Sequence, residues 1–164
     1  MSAAPAITTR AEQPYMAFKA RVTMAELGGL GPRVGEVFGW LGAHGLSQAG
    51  APFFRYTVID MTRQLEMEVG VPVAATVDGD GHVMPGVLPA GRYATLTHVG
   101  HPSELAAATK TLLDWADAQG LRWDMSPGEA GERWGSRLEF YLTDPAEEPD
   151  MSKWQTELAF RLAD

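Results

Sequence analysis

The sequence predicts an α+β fold in which two pseudo-symmetric βαββ repeats form one antiparallel sheet with two main helices on one face. Three observations carry that expectation. Six stretches alternate apolar and polar residues with period two, as half-buried strands do. Two further stretches follow helical spacing, and each is closed by a glycine. The order strand, helix, strand, strand occurs twice, over about 7–77 and about 88–163, within a single domain spanning 1–164.

Residues 7–10 fit a short edge strand. Residues 15–23 make a stronger one, with Met16, Phe18, Ala20 and Val22 on one face. Gly28, Gly29 and Gly31 form a flexible connection, and Pro32 suits the first turn of a helix. Val34, Val37, Phe38 and Leu41 continue at helical spacing to His44, where Gly45 ends the helix. Gly35, Gly39 and Gly42 weaken it intrinsically, so packing against the sheet is expected to hold it. Residues 53–60 and 64–73 are the next strands, and Leu65, Met67, Val69 and Val71 alternate against Glu66 and Glu68. Asp78-Gly79-Asp80-Gly81 is a turn or loop tip. Leu88-Pro89-Ala90-Gly91 leads into a strand at 92–99. Ser103 is the expected N-cap of the second helix, whose buried stripe is Leu105, Ala108, Leu112, Trp115 and Ala116 and whose end is Gly120. Residues 121–135 read as a long loop holding Trp123, Met125 and Trp134, which either covers a pocket or packs on the sheet rim. A final hairpin joins 138–143 to 154–162 across an acidic turn with Glu147, Glu148 and Asp150.

The formal net charge of -8 argues against direct nucleic-acid binding. The chain has no cysteine, which excludes disulfides and thiolate chemistry and suits a cytoplasmic location. No apolar run is long enough to cross a membrane. Met1-Ser2-Ala3-Ala4-Pro5-Ala6 lacks the basic region and apolar block of a secretory signal. His98 and His101 have no obvious third ligand, so no metal is expected. The glycines at 28, 29 and 31 lack phosphate-loop spacing, and no cofactor is expected.

The final hairpin carries the most suggestive chemistry. Glu139 and Tyr141 share one strand face, Leu138, Phe140 and Leu142 share the other, and the partner strand begins at Trp154. A carboxylate against aromatic surface suits an organic cation or a polarised aromatic ligand. The alternative is a solvated glutamate on an outer sheet face. Aligning the repeats sets 38–46 beside 113–121, 54–60 beside 138–144, and Glu68 beside Glu157. Arg55 then corresponds to Glu139. Both are expected to face one central groove between the halves, with their charged groups not in direct contact.

Several stretches, in this order and spacing, carry a family resemblance: Glu68-Val69-Gly70-Val71-Pro72-Val73, Leu88-Pro89-Ala90-Gly91-Arg92-Tyr93-Ala94, His98-Val99-Gly100, Leu112-Leu113-Asp114-Trp115 with Gly120-Leu121, Leu138-Glu139-Phe140-Tyr141-Leu142, and Trp154-Gln155-Thr156-Glu157-Leu158. Together they resemble the GyrI-like (gyrase-inhibitor-like, SOUL-related) small-molecule-binding domain, the effector module of AraC- and MerR-type multidrug regulators. The resemblance implies a glutamate in the penultimate strand at the bottom of an aromatic pocket, and Glu139 holds that position. It places Trp154 where the family often has a pocket aromatic. No helix-turn-helix precedes the domain, so a standalone ligand-binding member is expected.

Three functions follow as expectations. The first is binding of amphipathic, aromatic or cationic small molecules, with Glu139 supplying charge and Tyr141, Trp154, Tyr56 and Trp123 supplying stacking surface. The second, which the resemblance also implies, is a hydrolase that opens strained cyclopropane-type DNA-alkylating compounds. Glu139 would orient or deprotonate water there, and Tyr141 would donate to the developing oxyanion. The third is a protein partner, with which acidity is compatible without being specific.

Overall fold

The computed structural model describes residues 4–60 and 62–164. Met61 lies outside the described residues, as do Met1, Ser2 and Ala3, part of the start that lacks a secretory-signal pattern. The chain order is β1 (Ala6–Arg10), β2 (Gln13–Val22), a 3-10 turn (Leu27–Arg33), α1 (Val34–Ala43), β3 (Phe53–Ile59), β4 (Leu65–Pro72), β5 (Met84–Leu88) and β6 (Gly91–Val99). A short 3-10 turn (Pro102–Glu104) then precedes α2 (Leu105–Ala118), β7 (Met125–Gly128), β8 (Gly131–Trp134), β9 (Arg137–Tyr141), a further 3-10 turn (Met151–Lys153) and β10 (Gln155–Arg161). The strands pair antiparallel in the order β1-β6-β10-β9-β3-β4-β2-β5, with the β7–β8 hairpin joined to β3.

The unit β2-α1-β3-β4 recurs as β6-α2-β9-β10, and β3 meets β9 at the seam between the units. Both helices end alike. Gly45 (φ 69) and Gly120 (φ 71) are left-handed, and the N–H groups of Leu46 and Leu121 donate back to the carbonyls of Leu41 and Ala116 at 2.9 and 3.0 Å. The outer strands are exchanged between halves: β1 pairs with β6, and β5 pairs with β2. The two units are therefore tied at both flanks as well as at the seam.

Both helices pack on the same side of the sheet. The core there includes Phe18, Val37, Leu41, Leu112, Leu158 and Phe160, all almost fully buried. Each such side chain contributes about 1.5–3 kcal/mol by leaving water. Val37 and Leu41 are the buried anchors of α1, so tertiary packing compensates for its three glycines. A smaller cluster, Tyr15, Phe53, Tyr93, Leu138 and Ala159 among it, covers the opposite face.

Three local expectations change, and one strand is new. Met84–Leu88 is an edge strand, a place where its Pro85 and Gly86 are tolerated. Residues 121–135 are no long loop: they contain the β7–β8 hairpin, which extends the sheet beside β3. Pro32 lies inside the 3-10 turn ahead of α1. Ser103 is not the cap; its backbone N–H donates to the ring of His101 at 3.0 Å, so the histidine side chain does the capping. No described helix is long and apolar enough to cross a membrane.

Candidate ligand site at the seam

β3 and β9 pair over three positions, Phe53 with Phe140, Phe54 with Glu139 and Arg55 with Leu138. Beyond Arg55, β3 shifts register between Tyr56 and Val58 and turns to β8 for its partner. Such irregularities bend a strand and re-aim its side chains. Alternation places Phe54, Tyr56, Arg137, Glu139 and Tyr141 on the helix-bearing face. Phe53, Arg55, Leu138 and Phe140 take the opposite face.

The pairings also fix which residues of the two units correspond. Phe54 pairs with Val69 as Glu139 pairs with Leu158, and Arg55 pairs with Glu68 as Phe140 pairs with Glu157. Phe54 is thus equivalent to Glu139, Tyr56 to Tyr141 and Arg55 to Phe140. The expected alignment of Arg55 with Glu139 is wrong by one residue, which in a strand means the wrong face. Arg55 does not enter the Glu139 groove. Its guanidinium donates to Tyr15 Oη at 2.8 Å, to Glu68 Oε1 at 3.4 Å and to the Gly135 carbonyl at 2.8 Å. The charged groups of Arg55 and Glu139 stay apart as expected, because the sheet lies between them.

Glu139 Oε1 accepts hydrogen bonds from both equivalent tyrosines, from Tyr141 at 2.8 Å and from Tyr56 at 3.0 Å. A hydrogen bond to a charged acceptor contributes about 1.5–3 kcal/mol. Oε2 accepts none among the described residues. Phe54 meets Tyr141 edge-on at 4.9 Å. Tyr56 is buried, whereas Glu139 and Tyr141 are deep but keep part of their surface open. Burial holds the Glu139 carboxyl above its ordinary range, while the Tyr141 and Tyr56 hydroxyls and the Arg137 charge pull it down. Burial, reinforced by the Glu139 charge, pushes both phenols well above theirs, so they remain donors.

Next along β9, Arg137 lies against a ring cluster. The Trp123, Trp134 and Phe160 centroids are 5.6–5.9 Å apart. The Arg137 guanidinium carbon is 4.7 Å from the Trp134 ring and 4.5 Å from that of Phe160. Burial lowers the Arg137 pKa, against the Glu139 charge, which raises it. The sequence reading missed Arg137, although its place two residues before Glu139 already puts both on one strand face.

Of the expected site residues, Glu139, Tyr141 and Tyr56 are joined directly. Trp123 belongs to the neighbouring ring cluster. Trp154 is engaged elsewhere, its indole N–H donating to the Glu148 carbonyl at 2.7 Å. A cavity of about 380 Å³ opens on the opposite face of the sheet, lined by Arg10, Leu88, Tyr93, Leu138 and Phe140 among others. Arg10 there is paired with Glu157 at 2.8 Å, while Glu12, which also lines the cavity, has no ion pair among the described residues. His98 and His101 turn to different partners, Glu104 at 3.4 Å and Ser103 at 2.9 Å.

The chain matches the model of the GyrI-like small molecule binding domain over residues 3–163. No curated protein matches it in sequence. Among solved structures, the EcmrR–DNA complex is similar with a TM-score of 0.77 and 19% identity over 98% of this chain and 57% of that one, so this chain spans little more than half of its length. The EcmrR C-terminal domain is similar with a TM-score of 0.75 and 19% identity over 98% of each chain. SAV2435 bound to tetraphenylphosphonium is similar with a TM-score of 0.67 and 11% identity, over 98% of this chain and 94% of that one. Identities this low establish a shared fold only. With the sheet order and the match over residues 3–163 in agreement, the chain belongs to the GyrI-like small-molecule-binding domain family.

Proposed function

We infer that this chain binds amphipathic, aromatic or cationic small molecules at the seam, as a multidrug- or toxin-binding domain of the cytoplasm. The observation that supports this most is the state of Glu139. One carboxylate oxygen is fixed by two phenols, and the other is left without a hydrogen bond at a partly open, aromatic place. A cation arriving there would meet a preorganised counter-charge without displacing a salt bridge. Tyr141 and Tyr56 would form the floor, and Trp123 and Trp154 the outer walls after modest side-chain movement. Each cation–aromatic contact would add about 0.5–2 kcal/mol. The tetraphenylphosphonium complex of the similar SAV2435 supports the choice of cation. The net charge of -8 keeps nucleic acid out of the reading. Tryptophan fluorescence titration with a hydrophobic cation tests it: Glu139→Gln is expected to weaken binding at least about tenfold, and equal affinity in both proteins would refute the charge role.

A second reading shares the same site. A carboxyl whose pKa is raised by burial, with one oxygen unengaged, is suited to take a proton from water. Water would add to a strained cyclopropane conjugated to a carbonyl. Its oxygen would form the new C–O bond as the ring C–C bond breaks, the electrons would pass to the carbonyl, and the proton would return from Glu139. Tyr141 would have to release Glu139 to serve the developing oxyanion, since its hydroxyl already donates there. Mass spectrometry separates the readings: water adduct in excess of protein means turnover, and protection without adduct means binding alone.

A further inference from the structure

Arg137 stands out among the arginines of the described residues. Arg10, Arg21, Arg33, Arg55, Arg63 and Arg161 each pair with a carboxylate, and Arg92, Arg122 and Arg133, which do not, are exposed. Arg137 is half-buried, yet within the described residues it makes no hydrogen bond and no ion pair; the Trp134 and Phe160 rings hold it. A guanidinium carries five N–H donors, and those of Arg137 are not fully covered, so they are open to solvent or to a ligand. Stacking uses its faces and leaves its edge, where those donors lie, uncommitted. Two residues on, Glu139 also has an oxygen without a hydrogen bond. The two positions are about 6.5–7 Å apart along the strand. A donor fork and an acceptor oxygen therefore sit side by side on one face, each fixed by aromatic side chains and neither satisfied by the other.

We propose that Arg137 is a second recognition residue of the seam site: it takes an oxygen acceptor of the ligand while Glu139 takes the cationic or donor end. The preferred ligands are then planar aromatic molecules carrying both a positive group and a carboxylate or carbonyl, in preference to lipophilic cations lacking an acceptor. This rests on the reading that ligands bind beside Glu139. It also gives the Trp123–Trp134–Phe160 cluster a role as the platform that orients the guanidinium.

A matched pair of dyes tests it. Rhodamine B is a zwitterion, and its ethyl ester is a cation of nearly the same shape. Fluorescence polarisation would measure both dyes on wild type, Arg137→Met, Arg137→Lys and Glu139→Gln. Wild type is expected to favour rhodamine B over the ester about tenfold, and Arg137→Met to remove that preference by weakening rhodamine B alone. Arg137→Lys keeps the charge but loses the planar fork, and is expected to lower the ratio in the same direction. It decides the matter if the methionine variant fails to melt cooperatively. An unchanged ratio in the Arg137 variants, or a wild type that favours the ester, overturns the arginine subsite. Equal affinity of wild type and Glu139→Gln for both dyes overturns the glutamate reading instead. No binding of either dye to wild type overturns both.

Discussion

The two halves of the seam share a backbone and differ at its centre. Phe54 and Glu139 are equivalent and face each other across β3 and β9, and their neighbours Tyr56 and Tyr141 are equivalent too. Were both central residues phenylalanine, the seam would be packed core. Because one is glutamate, both tyrosines turn their hydroxyls to a single oxygen, and an apolar contact becomes a charged site. The opposite face shows the contrasting solution. Arg55 and its equivalent Phe140 lie beside equivalent glutamates, and there the charges are matched within the protein, Arg55 with Glu68 and Arg10 with Glu157. Backbone symmetry thus places the positions, and a single asymmetric residue on each face sets its chemistry: a matched ion pair on one, a carboxylate with an unengaged oxygen on the other.

The largest expected effect breaks the matched side. Arg55→Met would leave the largely covered Glu68 carboxylate without its counter-charge, held only by the Tyr15 hydroxyl at 2.7 Å. A loss of about 3 kcal/mol in urea unfolding is expected, with little change in affinity for a cation bound beside Glu139. The next pair of variants sharpens the equivalence on the other side. Tyr56→Phe and Tyr141→Phe each remove one donor to the same oxygen, so each should cost about 1.5 kcal/mol at a pH where Glu139 is ionised. Similar losses would confirm that the two hydroxyls do equal work. A double-mutant cycle with Glu139→Gln would show that both losses run through the carboxylate.

The smallest effect is a pH dependence with two opposite signs. Burial raises the Glu139 pKa, so the folded protein keeps a proton that the unfolded chain has released. That contribution to stability is fully present below the ordinary carboxylate value and is lost as pH rises through the higher folded value. Glu139→Gln should flatten this part of the stability profile, measured as melting temperature against pH. Cation affinity runs the other way, because the ionised form is the one that attracts: it should fall about tenfold for each pH unit below the folded value.

Much of this arrangement is legible in the chain itself. Helix spacing and the terminal glycines align Trp40 with Trp115 and Gly45 with Gly120, and the matching helix ends bear that out. Period-two alternation puts Glu139 and Tyr141 on one face. The strand register between repeats is not legible. Residues 53–59 carry large apolar side chains on both faces, so the pattern fits two alignments, and the interposed β7–β8 hairpin removes any fixed spacing between helix and strand. A shift of one residue then exchanges Arg55 for Tyr56 in the groove. Trp154 illustrates a different limit. Its place just before β10 suits the site, but the Glu148 carbonyl in the preceding acidic loop holds its indole, a contact between irregular segments that no periodicity encodes.

The most direct measurement is a crystal structure with tetraphenylphosphonium bound. The expected result is the phosphonium within about 4–6 Å of the Glu139 carboxylate, its rings against Tyr141 and Tyr56. Density instead in the cavity beside Arg10, Tyr93 and Phe140, with nothing next to Glu139, would contradict the assignment of recognition to the helix-bearing face of the seam.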